Sequence, residues 1–236
     1  MANLQPVCVV NGVGPGNGAA FARRFAAAGY RVALIARSAE FCDSLAAEIG
    51  DAAQAYQCDI GDPTAVSDTF AHIREALGPV DVLLHNAGAG IWGDFESLEL
   101  STFEQSWRVN TLGLVAAARA VAPDMRSAGR GSIVVTGATA SRRGAAKTAA
   151  FASAKGAQRN LTESLAKQLW PDGIHVSTIM IDGVVDLPRT RERLPDKPDT
   201  FFLDPDAVAE TAYWLTQQPR SAWSFEVEAR PFAENW

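Results

Sequence analysis

The stretch "AAFASAKGAQ", Ala149 to Gln158, holds a single side chain that can carry charge, Lys155. On a helix, Phe151 lies one turn before it on the same face. An ammonium among small and apolar neighbours is costly to bury without a partner, so the pattern marks Lys155 as a candidate site residue. A phenyl ring one turn away has no hydrogen to donate. A second cluster is "VVNGVGPGNGAAF", where Gly12, Gly14, Gly16 and Gly18 crowd together. Glycines at a strand-to-helix turn let backbone amides approach a pyrophosphate at the positive end of the next helix. A tight turn without a ligand is the plain alternative. A third is "VALIARSAE", where Ala36 is followed by Arg37 and no acid comes before Glu40. A carboxylate there would bind the ribose 2′-hydroxyl of NAD, whereas a guanidinium can hold a 2′-phosphate through paired bonds. The choice predicts NADP(H), an exposed helix-start arginine being the alternative. Thr136, Thr139, Ser141 and Thr148 are further hydroxyls that could donate, ordinary loop hydrogen bonding being the simpler role for each.

These groups need a scaffold, and the chain alternates two kinds of segment. Short runs rich in valine, isoleucine and leucine fall at residues 7–10, 31–36, 53–58, 80–85, 132–136 and 175–181. Alanine-rich segments with helical periodicity fall between and after them, at 18–28, 39–49, 65–77, 102–126, 147–169 and 206–217. Continuous apolar strands alternating with helices predict an α/β protein, a single-domain Rossmann fold with a doubly wound parallel sheet and helices on both faces. Its sites belong at the carboxyl ends of the strands. Residues 186–204, dense in Pro, Arg and Asp, follow the sixth strand and are expected to form a mobile lid over the cleft. No linker or repeat divides the remainder.

Bulk properties limit the function further. The 236 residues are 47% hydrophobic, enough for one sizeable core. A net charge of -6 argues against a nucleic-acid partner. Cys8, Cys42 and Cys58 lack CxxC or Cys/His spacing, so neither a metal site nor a disulfide is expected. "MANLQPVCVV" has no basic segment or signal-length apolar run, and residues 113–122 are interrupted by Arg119 and too short to span a bilayer. The expectation is a soluble cytoplasmic protein with a small-molecule substrate.

The motifs, in their order, resemble those of the short-chain dehydrogenases/reductases. Gly12-xxx-Gly16-x-Gly18 resembles that family's TGxxxGxG loop, with Asn11 for threonine and Asn17 inside the loop. "CDIGD" is similar to the adenine-contacting segment and implicates Asp59 and Ile60. "LLHNAGAG" resembles NNAG and implicates Asn86, Ala87 and Gly88, with His85 for the first asparagine. "VNTLG" supplies the helix asparagine, Asn110. "IDGVVD" stands in place of a PG motif and brings in Gly183 and Val184. The resemblance spans essentially the whole chain.

By that resemblance a tyrosine transfers the proton, a lysine lowers its pKa and binds the nicotinamide ribose, a serine holds the substrate oxygen, and an asparagine supports a water relay. Lys155 and Asn110 are present, but Phe151 stands at the tyrosine position and Ala138 at the serine position. The resemblance therefore implies an NADP(H)-dependent oxidoreductase without the usual acid, acting on an activated C=C or imine-like substrate. The alternative is a catalytically silent NADP(H)-binding sensor or partner subunit. The family's habits also imply a homodimer or homotetramer built on the two long helices. The tail aromatics Trp223, Phe225, Phe232 and Trp236 suit subunit contact. Arg142 and Arg143 could recognise an anion or be solvated, Trp92 and Phe95 could line the pocket or the core, and His85 reads as a strand-end hydrogen bonder.

Overall fold

A computed structural model describes residues 5–233. Seven parallel strands form one sheet in the order β3-β2-β1-β4-β5-β6-β9. They are β1 (Val7–Asn11), β2 (Arg31–Ala36), β3 (Ala53–Gln57), β4 (Val80–His85), β5 (Gly131–Ala138), β6 (Ile174–Ile181) and β9 (Glu226–Ala229). All five residues of β1 and all eight of β6 are buried, as continuous apolar runs covered on both faces require. The strand order reverses between β1 and β4, which opens a crevice at their carboxyl ends.

Helices α1 (Asn17–Ala27), α2 (Ala39–Ile49) and α8 (Pro205–Thr216) bury their apolar residues in one core with the sheet. Helices α3 (Pro63–Leu77), α5 (Gly113–Ala128) and α6 (Ala149–Leu169) do so in a second core. Helix α3 begins two residues before its predicted start, because the Asp62 carboxylate caps the amides of Thr64 and Ala65 and Pro63 takes the first turn. Helix α6 begins two residues late: Lys147 has φ 67°, outside the helical region.

Three departures from the expected pattern matter. The predicted helix at 102–126 is α4 (Leu100–Trp107), a π-helical turn (Arg108–Leu112) and α5. Residues 186–204 carry defined structure. There β7 (Val184–Val185) pairs with β8 (Phe202–Leu203), and α7 (Pro188–Arg193) presents Arg191 to Asp186 at 2.7 Å and to Asp199 at 2.5 Å. The tail adds the edge strand β9, a seventh strand beyond the six expected. Just before it, Trp223 stacks on His175 and Phe225 packs on the core, so these two of the four tail aromatics are engaged within one chain. Phe232 is exposed, and Trp236 lies outside the described residues.

Candidate functional site

A cavity of about 550 Å³ opens at the strand-order reversal. Its floor is the turn after β1, which contributes Gly12, Gly16, Asn17 and Gly18. Gly12 has φ +87°, and a Cβ there would run into the backbone of Ala87. A Cβ on Gly18 would lie 2.6 Å from the Gly12 carbonyl oxygen. Only glycine lets this turn pass so close to β4. The amides of Gly12 and Val13 both donate to the Ile35 carbonyl at 2.9 Å, and the Asn86 side chain donates to the Gly12 carbonyl at 2.8 Å. Helix α1 has no acid in its first turn, so its positive end is unopposed.

The other walls come from successive strand ends. Ala36 and the exposed Arg37 leave β2, Asp59 and Ile60 follow β3, and Asn86, Ala87 and Gly88 follow β4. The Gln57 side chain fixes the Arg37 backbone by donating to its carbonyl at 3.0 Å. Leu187 and Arg189 line the cavity from the 186–204 segment, and sequence reasoning did not single them out. Gly183 and Val184, expected here, stand off the lining, while their neighbour Val185 reaches it. Gly183 sits against Pro231, where a Cβ would approach to 2.6 Å.

Beyond Gly88 the site changes character. A Cβ on Gly88 would lie 3.2 Å from Asn110 Oδ1 and 3.7 Å from Lys155 Nζ, so that glycine borders both groups. Lys155 is only 5% exposed. Its Nζ donates to the Thr136 carbonyl at 2.9 Å and to Gln158 Oε1 at 2.8 Å. Burial lowers its pKa to about 8. Asn110 lies in the π turn and donates its side-chain NH₂ to the carbonyls of Ser106 (2.9 Å) and Ala89 (3.2 Å). Its Oδ1 is buried without a hydrogen-bond partner among the described residues. Gln158, also missed, donates Nε2 to the Asn110 carbonyl at 2.7 Å. The signal available was a lone amide three residues after Lys155 in an otherwise small-residue segment.

The Phe151 ring centroid is 6.0 Å from Lys155 Nζ and 5.6 Å from the Trp92 ring. Trp92 and Phe95 are 61% and 65% exposed, so neither is core packing. Ala138 ends β5 half-buried; of the hydroxyls that could donate, Ser141 meets Met180 Sδ at 3.5 Å and Thr148 donates to the Ala145 carbonyl at 2.8 Å. His85 Nδ1 meets the Asn11 amide at 3.3 Å. Burial, and then the Lys155 charge, lower its pKa to about 3, so the ring is neutral. Arg142 pairs with Glu226 and Glu228 and so ties the loop after β5 to the β9 edge, while Arg143 lies 3.7 Å from Asp182 at the end of β6. No helix among the described residues is long and apolar enough to cross a membrane.

Residues 6–197 match the family described as short chain dehydrogenase. Over 207 residues the chain is 32% identical to "Inactive 2-(S)-hydroxypropyl-CoM dehydrogenase 2" of Xanthobacter autotrophicus, covering 82% of this chain and 90% of that one. It is 34% identical over 205 residues to the 2-(R)-hydroxypropyl-CoM dehydrogenase of the same organism, covering 83% and 80%. A crystal structure of a metagenomic short-chain oxidoreductase in complex with NADP superposes with TM-score 0.85 at 28% identity, covering 98% of this chain and 99% of that chain.

Proposed function

The chain belongs to the short chain dehydrogenase family, and from that premise we propose an NADP(H)-dependent oxidoreductase whose site lacks the family's tyrosine and serine. The cofactor fits what the residues offer. The glycine turn, with Gly12, Gly16, Asn17 and Gly18, would take the pyrophosphate at the α1 terminus. Arg37 would take the 2′-phosphate, and Asp59 and Ile60 would border the adenine. Asn86, Ala87 and Gly88 would line the path toward Lys155, whose ammonium would hold the nicotinamide ribose, with Val185 closing the far side and Gly183 and Val184 standing behind it. The NADP complex of a similar structure supports this choice of nucleotide. The bound nicotinamide would supply or accept a hydride.

One observation carries the chemistry: beside the buried Lys155 stands the Phe151 ring, which has no proton to give. Hydride addition to a ketone builds an alkoxide that needs a positioned donor. Addition to an iminium carbon removes charge instead of creating it, and addition to an activated C=C delivers an enolate that water can protonate. Both suit a site bordered by the paired rings of Phe151 and Trp92, whose faces can also attract a cation. Asn110 would border the reacting centre through its unpartnered Oδ1. In this reading residues 186–204 act as a lid over a small-molecule substrate, and the protein works as a homodimer or homotetramer.

A second reading, a silent NADP(H)-binding sensor or partner subunit, is favoured by the relative named inactive. The test is NADPH consumption by the parent and by Phe151→Tyr/Ala138→Ser across ketones, enones and cyclic imines. The parent should turn over imines or enones and leave simple ketones untouched. The double variant should gain ketone reduction by about 10²-fold, the effect of one well-placed acid. NADPH binding with no parental turnover supports the second reading. Ordinary ketone reduction by the parent overturns the account of the missing donor.

A further inference from the structure

Resting on that cofactor reading, we propose that Gln158 is the positioning residue for Lys155, holding its ammonium, charged, at the nucleotide ribose. The side chain at position 151 cannot do this. A carbonyl oxygen can only accept, so the Gln158 group 2.7 Å from the Asn110 carbonyl must be the NH₂. Its oxygen is thereby turned to Lys155, 2.8 Å away. Gln158 is 1% exposed, which leaves it no water to choose instead.

The electrostatics make the bond consequential. Lys155 is buried, and its two protein acceptors, Gln158 Oε1 and the Thr136 carbonyl, are both neutral. Of the groups around it, β4 offers His85, itself neutral; β5 offers only the Thr136 backbone; the π turn offers Asn110; α6 offers Phe151 and Gln158. With no counter-ion among the described residues, the protonated state rests on oriented carbonyl dipoles, and Gln158 is the one of the two that a substitution can remove. With two of its three hydrogens so used, the ammonium keeps one for a ligand hydroxyl.

The chain has four lysines, Lys147, Lys155, Lys167 and Lys197, so a lysine-labelled sample gives a spectrum simple enough to follow each one. The experiment titrates ¹³Cε-labelled lysines by NMR in the nucleotide-free protein, for the parent, Gln158→Met and Gln158→Glu. The Lys155 midpoint near 8 should fall by about one pH unit in Gln158→Met and rise by about one in Gln158→Glu. A merely structural role would not shift the midpoint in opposite directions. Unchanged midpoints, or shifts of the same sign, overturn the proposal. Should the methionine variant fail to fold, the glutamate variant decides alone: an upward shift supports, anything else refutes. NADPH fluorescence titration then tests the ribose role, with affinity about tenfold weaker in Gln158→Met at neutral pH. A parent that binds no NADPH would overturn the cofactor reading and the ribose role together. The lysine titration would still decide whether Gln158 sets Lys155.

Discussion

Around the glycine turn the cleft is walled by backbone. Gly12 lies against the main chain of Ala87, and two amides share the Ile35 carbonyl. Around Lys155 the structure is built from side-chain contacts instead: Phe151 against Trp92, and an ammonium tied through Gln158 to the π turn. The two halves differ in how they tolerate change. Backbone recognition asks of a residue only that it have no side chain, so a few glycines preserve it. Side-chain chemistry needs a particular atom at a particular place, and one replacement can remove it.

The severest attack on the backbone half is Gly12→Val. It forces a β-branched residue to φ +87° and a Cβ into Ala87. Strain and overpacking together should cost ~4 kcal/mol or more, read as a large drop in the urea midpoint with loss of nucleotide binding. An unchanged midpoint would break the contrast between the halves.

For the side-chain half, burial lowers Lys155 from 10.5 to about 8. Between those values the unfolded chain still holds a proton that the folded chain has shed, so this group makes stability rise with pH. The full span is worth about 3 kcal/mol. Urea titrations from pH 7 to 10.5 should show that rise in the parent relative to Lys155→Met. Parallel curves would mean that the ammonium is better solvated than its surroundings suggest.

Arg37→Ala tests the charged side chain that the backbone half would present to a 2′-phosphate. NADPH affinity should fall about 30-fold, a loss of roughly 2 kcal/mol, while NADH binding stays within about twofold. Equal parental affinities for the two nucleotides would remove Arg37 from the specificity argument. Trp92→Ala should have the smallest effect on the fold, within about 1 kcal/mol, because most of the ring is exposed. Its mark should fall on KM for the substrate more than on kcat.

The sheet was legible because its central strands needed continuous apolar runs, and the runs read from the sequence lie where β1 to β6 form. The cavity floor was legible because the glycine spacing reports a steric demand that the structure displays at Gly12 and Gly18. Edge strand β9 was not, since "EVEA" is half-buried and its glutamates are spent on Arg142 and Arg159. Those pairings also dispose of Arg142 as a free anion receptor, which sequence alone left open. Gln158 escaped notice because its importance comes from a carbonyl 48 positions away in the chain. The break in the helix at 102–126 escaped because periodicity counts residues per turn and cannot see one added to a turn.

That π turn has a geometric consequence. One residue added to a helical turn displaces everything after it by about 100° around the axis. The rod from Leu100 to Ala128 is thus two helices in different phase. Its first part packs on α6, and its second turns Leu114, Ala117, Val121 and Met125 toward α3 and the sheet. A single unbroken helix would offer one stripe and would have to choose between those neighbours. Arg108–Leu112 works as a phase shifter, serving two interfaces with one length of chain, and Asn110 stands at the step between them.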